Sequence, residues 1–423
     1  KGNYLEAPTD CPQRDKRMGW TGDAQFFMPT ALYTAGIGAF YTKWLVDLIR
    51  DGQQENGSFP HVAPDVKLGG GAVAWGDAAM ICPWLIYQFY GDTRVIEKHY
   101  DSLIRGMEFL EQTSENHIRR DLGFGDWLNL GGGAKDEVIC TAYYAYLADI
   151  MSQMAALIGR KDAAERYATL HGNIRQAFID NFVDDTGRIL ESSQTGYALA
   201  FAFDLIPENL QEAAAGHYIK EIERFDGHLA TGFIGTPRLL PTLSLAGRDD
   251  VAYRLLMNTT YPSWLFQVTL GATTMWERWN GWTPDKGFAD SGMNSFNHYA
   301  FGAVGEWLYS RVAGIRPDAP GFEKIYIEPV PGGGLTYASM NYHSIRGRII
   351  SSWRVEGDSF LLDVEIPANT TATVCIPTRD AASITEGGKA LPDAGIPVET
   401  MQDGSILCRL GSGNYQFQAL TRK

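Results

Sequence analysis

The sequence has few cysteines, no long apolar run and no excess of basic charge. Its five cysteines among 423 residues lie far apart without CxxC or histidine-rich spacing, so neither a disulfide framework nor a zinc site is indicated. No run of eighteen apolar residues occurs, and no membrane insertion is predicted. The 36 basic residues are outnumbered by 50 acidic ones, and the net charge of -14 disfavours binding to nucleic acid or to an anionic membrane surface.

Apolar and aromatic residues are abundant instead. The chain is 45% hydrophobic, which is enough for a large core, and its length predicts more than one domain. The 11 Trp and 20 Tyr offer flat apolar faces with a polar edge, which suit sugars, although most of them are expected in the core. The chain starts at Lys1 and enters its densest motif within ten residues, so we expect a fragment or processed piece and predict neither localisation nor oligomeric state.

The first three quarters of the chain are predicted to be helical. Apolar residues recur there at spacings of three and four, as in "TAYYAYLADIMSQMAALIG". Gly, Pro and Asn/Asp signals divide this part into about eleven helices, near 24–35, 38–51, 72–90, 94–114, 136–159, 161–182, 192–204, 208–224, 235–246, 248–259 and 294–312. From 316 onward, apolar and polar residues alternate, which predicts short antiparallel strands in a sandwich.

One short segment near the start of the chain is dense in charge. "TDCPQRDKRMGWTGDAQ" places three aspartates, Asp10, Asp15 and Asp23, around Trp20. The residues alone favour a ligand site and an ordinary charged surface about equally. Asp23 falls in the first turn of a predicted helix, where a capping role is the simple alternative.

Part of this segment closely resembles a known signature. "DCPQRDKRMGWTGDAQ" is similar over sixteen positions to "DCPQRDERLGWTGDAQ" of the inverting α-L-rhamnosidases, glycoside hydrolase family 78. The segments "AWGDA", "GDWL", "GATTMWERWNGW" and "MNSFNHYAFGAVGEWLY" follow in that family's order, and "SIRGRIISSWRVEGDSF" resembles its C-terminal β-domain. The resemblance covers essentially the whole chain.

The resemblance implies a mainly α fold followed by an all-β domain. Residues 1–315 would form a six-hairpin (α/α)6 barrel whose first helix lies before Lys1, and 316–423 would form a β-sandwich. The implied partner is a rhamnose-containing glycoside or polysaccharide, with no cofactor and no metal. Another hydrolase or lyase on the same barrel remains an alternative, although a polyuronide lyase would require a basic groove.

The matched segments also imply roles for individual residues. Glu277 would be the general base that activates water. Carboxylates and a histidine would accept or share hydrogen bonds with sugar hydroxyls, and tryptophans would contact the C6 methyl group. The implied binding residues are Asp10, Arg14, Trp20, Asp23, Trp75, Trp127 and His298. Without the resemblance, each of these tryptophans and His298 is more typical of a side chain in the core than of one that binds a ligand.

One position departs from the signature. Lys16 stands where the family has its general acid, a glutamate. A lysine with a pKa near 10.4 is a poor proton donor to a glycosidic oxygen. Two alternatives follow: Asp15 supplies the proton instead, or the protein is a weak or silent relative that binds rhamnosides. Glu277 favours the first, because a binding protein does not need a carboxylate that activates water.

Overall fold

The computed structural model describes residues 2–12, 17–120, 123–131, 134–190, 193–401 and 404–420. They form two compact units. The first comprises Lys1–Pro29, Ile37–Trp84 and Thr93–Val304, and the second comprises Thr30–Gly36, Leu85–Asp92 and Gly305–Lys423.

Helices dominate the N-terminal three quarters of the described chain. They are α1 (Thr21–Thr34), α2 (Gly38–Leu45), α3 (Ala78–Tyr90), α4 (Arg94–Gln112), α5 (Asp136–Leu157), α6 (Lys161–Phe182), α7 (Gln194–Ala202), α8 (Gln211–Glu223), α9 (Thr236–Leu245), α10 (Asp249–Met257), α11 (Trp264–Thr269) and α12 (Val304–Trp307). π-Helical segments, Val46–Asp51 and Leu308–Val312, continue α2 and α12. Among these described helices, none is both long and apolar enough to cross a bilayer.

Consecutive helices alternate between buried and amphipathic. α5 is buried on most sides, whereas α6 buries one stripe at spacings of three and four: Tyr167, Leu170, Ile174, Phe178 and Phe182. In the same way, α7 is buried along most of its length, whereas α8 buries only Ala214, Tyr218 and Ile222. An inner helix followed by an outer one is the hairpin unit of a six-hairpin barrel, so the predicted fold class is confirmed.

Each predicted helical range contains a helix, but two ranges were too long. Residues 72–77 and 294–303 precede α3 and α12 as loops, turns and a short 3-10 segment. The short helix α11 was not predicted. Its six residues give too little periodicity, and its start depends on the Ser263 hydroxyl, which accepts a hydrogen bond from the Phe266 N–H at 3.1 Å.

The second unit contains two sheets. Their strands are β5 (Ile315–Pro317), β6 (Lys324–Ile327), β7 (Tyr337–Ser344), β8 (Gly347–Glu356), β9 (Ser359–Ile366), β10 (Thr371–Ile376), β11 (Thr385–Glu386), β12 (Lys389–Ala390), β13 (Val398–Thr400), β14 (Ile406–Leu410) and β15 (Gly413–Leu420). The first unit contributes two small hairpins from β1 (Ser114–Glu115), β2 (Ile118–Arg119), β3 (Trp282–Thr283) and β4 (Gly287–Phe288).

The strand orders are β12-β11-β15-β9-β8-β7 and β13-β14-β10-β6-β5. Burial alternates residue by residue along β9, as expected for a strand with one face in the core. The sandwich prediction is therefore confirmed. The expectation of antiparallel strands was wrong for one pair, because β6 and β10 run parallel and are far apart in sequence.

Candidate active site

The first unit contains a pocket of about 550 Å³ that is partly open to solvent. Its lining residues are Asp10, Trp20, Asp23, Trp75, Phe124, Trp127, Phe233, Glu277, Met293 and His298. Seven of the predicted site residues are thus brought together. The other two, Arg14 and Asp15, lie outside the described residues, and so does Lys16.

Backbone hydrogen bonds place the first segment at the pocket. The Asp10 N–H donates to the Met18 carbonyl at 3.1 Å, and the Met18 N–H donates to Asp10 Oδ1 at 3.2 Å. The Thr21 N–H then donates to the His61 carbonyl at 3.0 Å, where α1 begins. Asp23 therefore lies in the first turn of α1, as predicted, where the helix dipole favours a carboxylate.

Glu277 and His298 lie on two chain segments that are hydrogen-bonded to each other. The Glu277 N–H donates to the Ser295 carbonyl at 2.8 Å, and the Ser295 N–H donates to Glu277 Oε2 at 2.8 Å. The His298 N–H donates to the Met275 carbonyl at 2.9 Å. The orientation of the Glu277 carboxylate is consequently fixed by the backbone opposite it.

His298 connects this segment to α1. Its Nε2 lies 3.2 Å from Asp23 Oδ1, and both side chains are buried. The Ala300 N–H donates to His298 Nδ1 at 3.4 Å, so in the neutral ring we assign the proton to Nε2, which faces Asp23.

The pocket concentrates negative charge in a buried place. Asp10, Asp23 and Glu277 each expose only 4–6% of their surface. Burial raises the pKa of Asp23 well above its usual range, and the charges of Asp10 and Glu277 raise it further. His298 Nε2, at 3.2 Å from Asp23 Oδ1, is close enough for an ion-pair contact but is not aligned as a hydrogen bond, and no other group in the described part of the chain donates to this oxygen. A buried carboxylate oxygen at a pocket wall is suited to accept a hydrogen bond from a ligand hydroxyl.

Four aromatic rings form one wall of the pocket. The Phe124 ring lies at the centre and meets Trp20, Trp75 and Trp127 edge-on, at centroid distances of 5.8, 4.8 and 6.1 Å. Gly22 allows Trp75 to pack against the start of α1, because a Cβ at this position would lie 2.6 Å from the indole ring. The wall thus depends on a phenylalanine and a glycine as well as on the tryptophans.

Asp126 holds two loops of the pocket together. Its buried carboxylate accepts hydrogen bonds from the Thr195 hydroxyl and from the N–H groups of Gly232 (2.8 Å), Ile234 (2.9 Å) and Gly235 (3.1 Å). Next to it, the Phe233 N–H donates to the Trp127 carbonyl at 2.9 Å. Trp127 and Phe233, which line the pocket from two loops, therefore have one common support.

Sequence reasoning missed three lining residues. Phe124 and Met293 lie within segments that were already singled out, "GFGDWL" and "SGMNSFNHY", beside predicted site residues. Phe233 lies in "HLATGFIGTPRLL", which contains no charged residue near it to attract attention. In a sequence, apolar residues of this kind have the same pattern as core residues, so only the folded structure identifies them as pocket residues.

One group of side chains has the donor types of a metal site. Ligand atoms of Asp10, Cys11 and His298 all lie within 4.8 Å of one another. Burial, followed by the charges of Asp10 and Glu277, raises the pKa of the Cys11 thiol. Since metals bind the thiolate, this environment works against metal binding. All five cysteines are buried, and none of them forms a disulfide.

Comparisons with known proteins identify the family. Residues 1–312 match the bacterial alpha-L-rhamnosidase 6 hairpin glycosidase domain, and residues 314–391 match the bacterial alpha-L-rhamnosidase C-terminal domain. This chain belongs to the bacterial α-L-rhamnosidase family. An α-L-rhamnosidase of Streptomyces avermitilis is 44% identical over 99% of this chain, and one of Formosa agariphila is 38% identical over 99%.

The match extends to solved structures of the same family. The crystal structure of the Streptomyces avermitilis α-L-rhamnosidase complexed with L-rhamnose superimposes with a TM-score of 0.94 at 43% identity, over 99% of this chain. The chain spans 40% of that structure, and 40% and 46% of the two relatives, so it corresponds to less than half of their length.

We predict that Gly22→Ala displaces Trp75 and weakens binding of L-rhamnose by about tenfold or more, as measured by calorimetry. The added methyl group would lie 2.6 Å from the indole ring, which must move. Gly172→Ala in α6 is the matched control, because a Cβ there meets nothing within 4 Å. The explanation is wrong if both variants bind rhamnose like the parent protein.

Asp126→Asn is expected to lower the free energy of unfolding by about 1–3 kcal/mol in urea titrations, because the amide group faces N–H donors. Rhamnose affinity should fall as well, since Trp127 and Phe233 lose their common support. Asp184→Asn is the control, because Asp184 also accepts hydrogen bonds from Thr186 and Arg188 but is only partly buried. Equal losses in both variants would contradict the role of Asp126.

The raised pKa of Asp23 makes a stability prediction with a definite sign. A carboxyl whose pKa is higher in the folded state stabilises the fold at low pH and loses that contribution as pH rises through the folded pKa. Asp23→Asn should therefore raise the thermal midpoint at pH 7, with a gain that shrinks towards pH 4, while rhamnose binding is lost. Asp162→Asn, exposed in the first turn of α6, is the control. An unchanged gain at pH 4 would contradict this explanation.

Proposed function

We propose that the protein hydrolyses terminal α-L-rhamnosyl groups from glycosides or polysaccharides with inversion at the anomeric carbon. The observation that carries the proposal is the pocket itself, where Asp23, Glu277 and His298 are buried beside a wall of tryptophans. The complex of the Streptomyces avermitilis relative with L-rhamnose supports the choice of sugar.

The polar and apolar walls suit the two sides of rhamnose. Its hydroxyls would donate to Asp10 and to Asp23 Oδ1, and His298 would hydrogen-bond to the ring substituents nearest to it. Its C6 methyl group would lie against the aromatic wall. Arg14, which follows Asp10 in the same segment, would orient or neutralise the carboxylates.

Glu277 would act as the general base. The Ser295 N–H fixes one of its oxygens, so the carboxylate has a defined direction. Glu277 would take a proton from a water molecule as the water oxygen bonds to the anomeric carbon. The bond to the leaving oxygen breaks at the same time on the opposite face, and that oxygen receives a proton from the general acid.

The charge of the pocket favours this transition state. The anomeric centre becomes oxocarbenium-like and positively charged as the glycosidic bond breaks. Three buried carboxyl groups, one of which already has a raised pKa, gain more from a nearby positive charge than they would in water. The cost of burying them is thus offset when the sugar becomes cationic.

The general acid would come from the same segment as Asp10 and Asp23. We propose Asp15 as the proton donor, because Lys16 replaces the glutamate of the family signature. Lys16 also supports a second candidate function, a rhamnoside-binding protein with little or no turnover, since a lysine would place its positive charge near the developing cation.

Turnover of a chromogenic α-L-rhamnoside by single variants tests the assignment. Lys16→Glu should raise kcat by at least about tenfold, because general acid catalysis contributes about 10²–10⁴-fold. The gain should be larger for poor leaving groups, which need protonation. Asp15→Asn should lower kcat in the parent protein but have less effect beside Glu at position 16, and Glu277→Gln should abolish turnover in both backgrounds.

Lys98→Glu on the exposed face of α4 makes the same change in charge away from the pocket and is the control. Rhamnose binding without turnover in the parent protein, followed by turnover in Lys16→Glu, would support the second candidate. Good turnover that neither Lys16→Glu nor Asp15→Asn alters would show that the acid is assigned to the wrong segment.

A further inference from the structure

The first unit has a second pocket that the proposed chemistry does not use. It has a volume of about 840 Å³, partly open to solvent, and its lining includes Tyr261, Asn280, Thr283, Asp285, Lys286 and Phe288. Phe288 is 74% exposed and Tyr261 is 40% exposed. Of the three exposed aromatic side chains in the described part of the chain, these two share this pocket.

The chain itself limits the distance between the two pockets. Glu277 lines the first pocket and Asn280 lines the second, and three residues of extended chain span at most about 11 Å. Further along the chain, Ala289 lines the second pocket and Met293 lines the first. The extended chain between these two residues spans at most about 14 Å. The two pockets are therefore within the reach of a short oligosaccharide.

A fixed hairpin forms one side of the second pocket. Trp282 of β3 pairs with Phe288 of β4, and the Ala289 N–H donates to the Gly281 carbonyl at 3.0 Å. The Asn294 side-chain amide donates to the same carbonyl at 2.8 Å. The hairpin is thus attached to both segments that supply the first pocket.

Aromatic contacts connect the hairpin to the segment that carries Glu277. Phe288 meets Phe296 edge-on at 5.7 Å, and Phe296 meets Trp276, the neighbour of Glu277, at 4.9 Å. These contacts hold the position of the Phe288 ring even though most of its surface is open to solvent. An exposed aromatic ring held in this way is a platform for a ligand.

We propose that the second pocket is a subsite for the sugar units to which the terminal rhamnose is attached, an inference that rests on the proposed function. The faces of Tyr261 and Phe288 would contact the CH faces of a sugar ring, and Asn280 and Thr283 would bind its hydroxyls. The charges of Asp285 and Lys286 offset each other, which fits a neutral saccharide. The protein is accordingly built for oligosaccharides or polysaccharides that end in rhamnose.

Calorimetry with two probes tests the subsite: L-rhamnose, and a trisaccharide that ends in α-L-rhamnose. All proteins in this test carry Glu277→Gln, so that the trisaccharide is not hydrolysed, and this variant should bind the trisaccharide at least about tenfold more tightly than rhamnose, which corresponds to about 1.4 kcal/mol. Phe288→Ala and Tyr261→Ala should each reduce this ratio severalfold, and the double variant should bring it close to one. Tyr337→Ala, which removes a ring that is 71% exposed in β7, is the matched control and should keep the ratio.

The outcomes separate the two proposals. Binding of rhamnose with no preference for the trisaccharide would overturn the subsite and leave the proposed function in place. A preference that persists in the double variant would overturn the subsite as well. If neither probe binds, the proposed function and the subsite both fail.

Discussion

The site depends on contacts between chain segments that are far apart in sequence. His298 Nε2 lies 3.2 Å from Asp23 Oδ1, which joins the end of the barrel sequence to the first turn of α1. The Tyr299 hydroxyl, which donates to the Pro8 carbonyl at 2.9 Å across 291 residues, makes the same connection beside it. Closed rings of helical hairpins allow such contacts, because the last helices return to the first. The pocket therefore forms because the ring of helices closes, and no single segment supplies all of its lining residues.

The arrangement of carboxyl groups in the pocket lowers the stability of the folded state for an electrostatic reason. Burial of Asp10, Asp23 and Glu277 in one cavity is unfavourable for the folded state, and the raised pKa of Asp23 expresses that cost. His298 and hydrogen bonds from the backbone offset it only in part. The same concentration of charge suits a reaction in which a neutral sugar becomes cationic. Under the proposed function, this loss of stability provides a preorganised environment for the transition state.

The sequence was informative where side-chain chemistry is visible in a motif. The dense segment alone left Asp23 and Trp20 open between a ligand site and an ordinary role in the fold, and the resemblance predicted them as site residues together with Glu277 and His298. Helix ranges followed from periodicity, except that two ranges were too long and the six residues of α11, whose start depends on one Ser263 hydrogen bond, were not predicted. Phe124 could not have been predicted, because its role at the centre of three tryptophans comes from contacts between loops. Asp126 was seen only as the neighbour of Trp127, since its four partners lie 69 to 109 residues away.

In the proposed function, Asp23 and its neighbours bind rhamnose in the pocket beside the aromatic wall. A crystal structure of the protein with L-rhamnose tests this most directly. We expect one sugar in the pocket, with a hydroxyl within hydrogen-bond distance of Asp23 Oδ1 and its C6 methyl group against the aromatic wall. A sugar bound elsewhere, or an empty pocket at a saturating concentration of L-rhamnose, would contradict it.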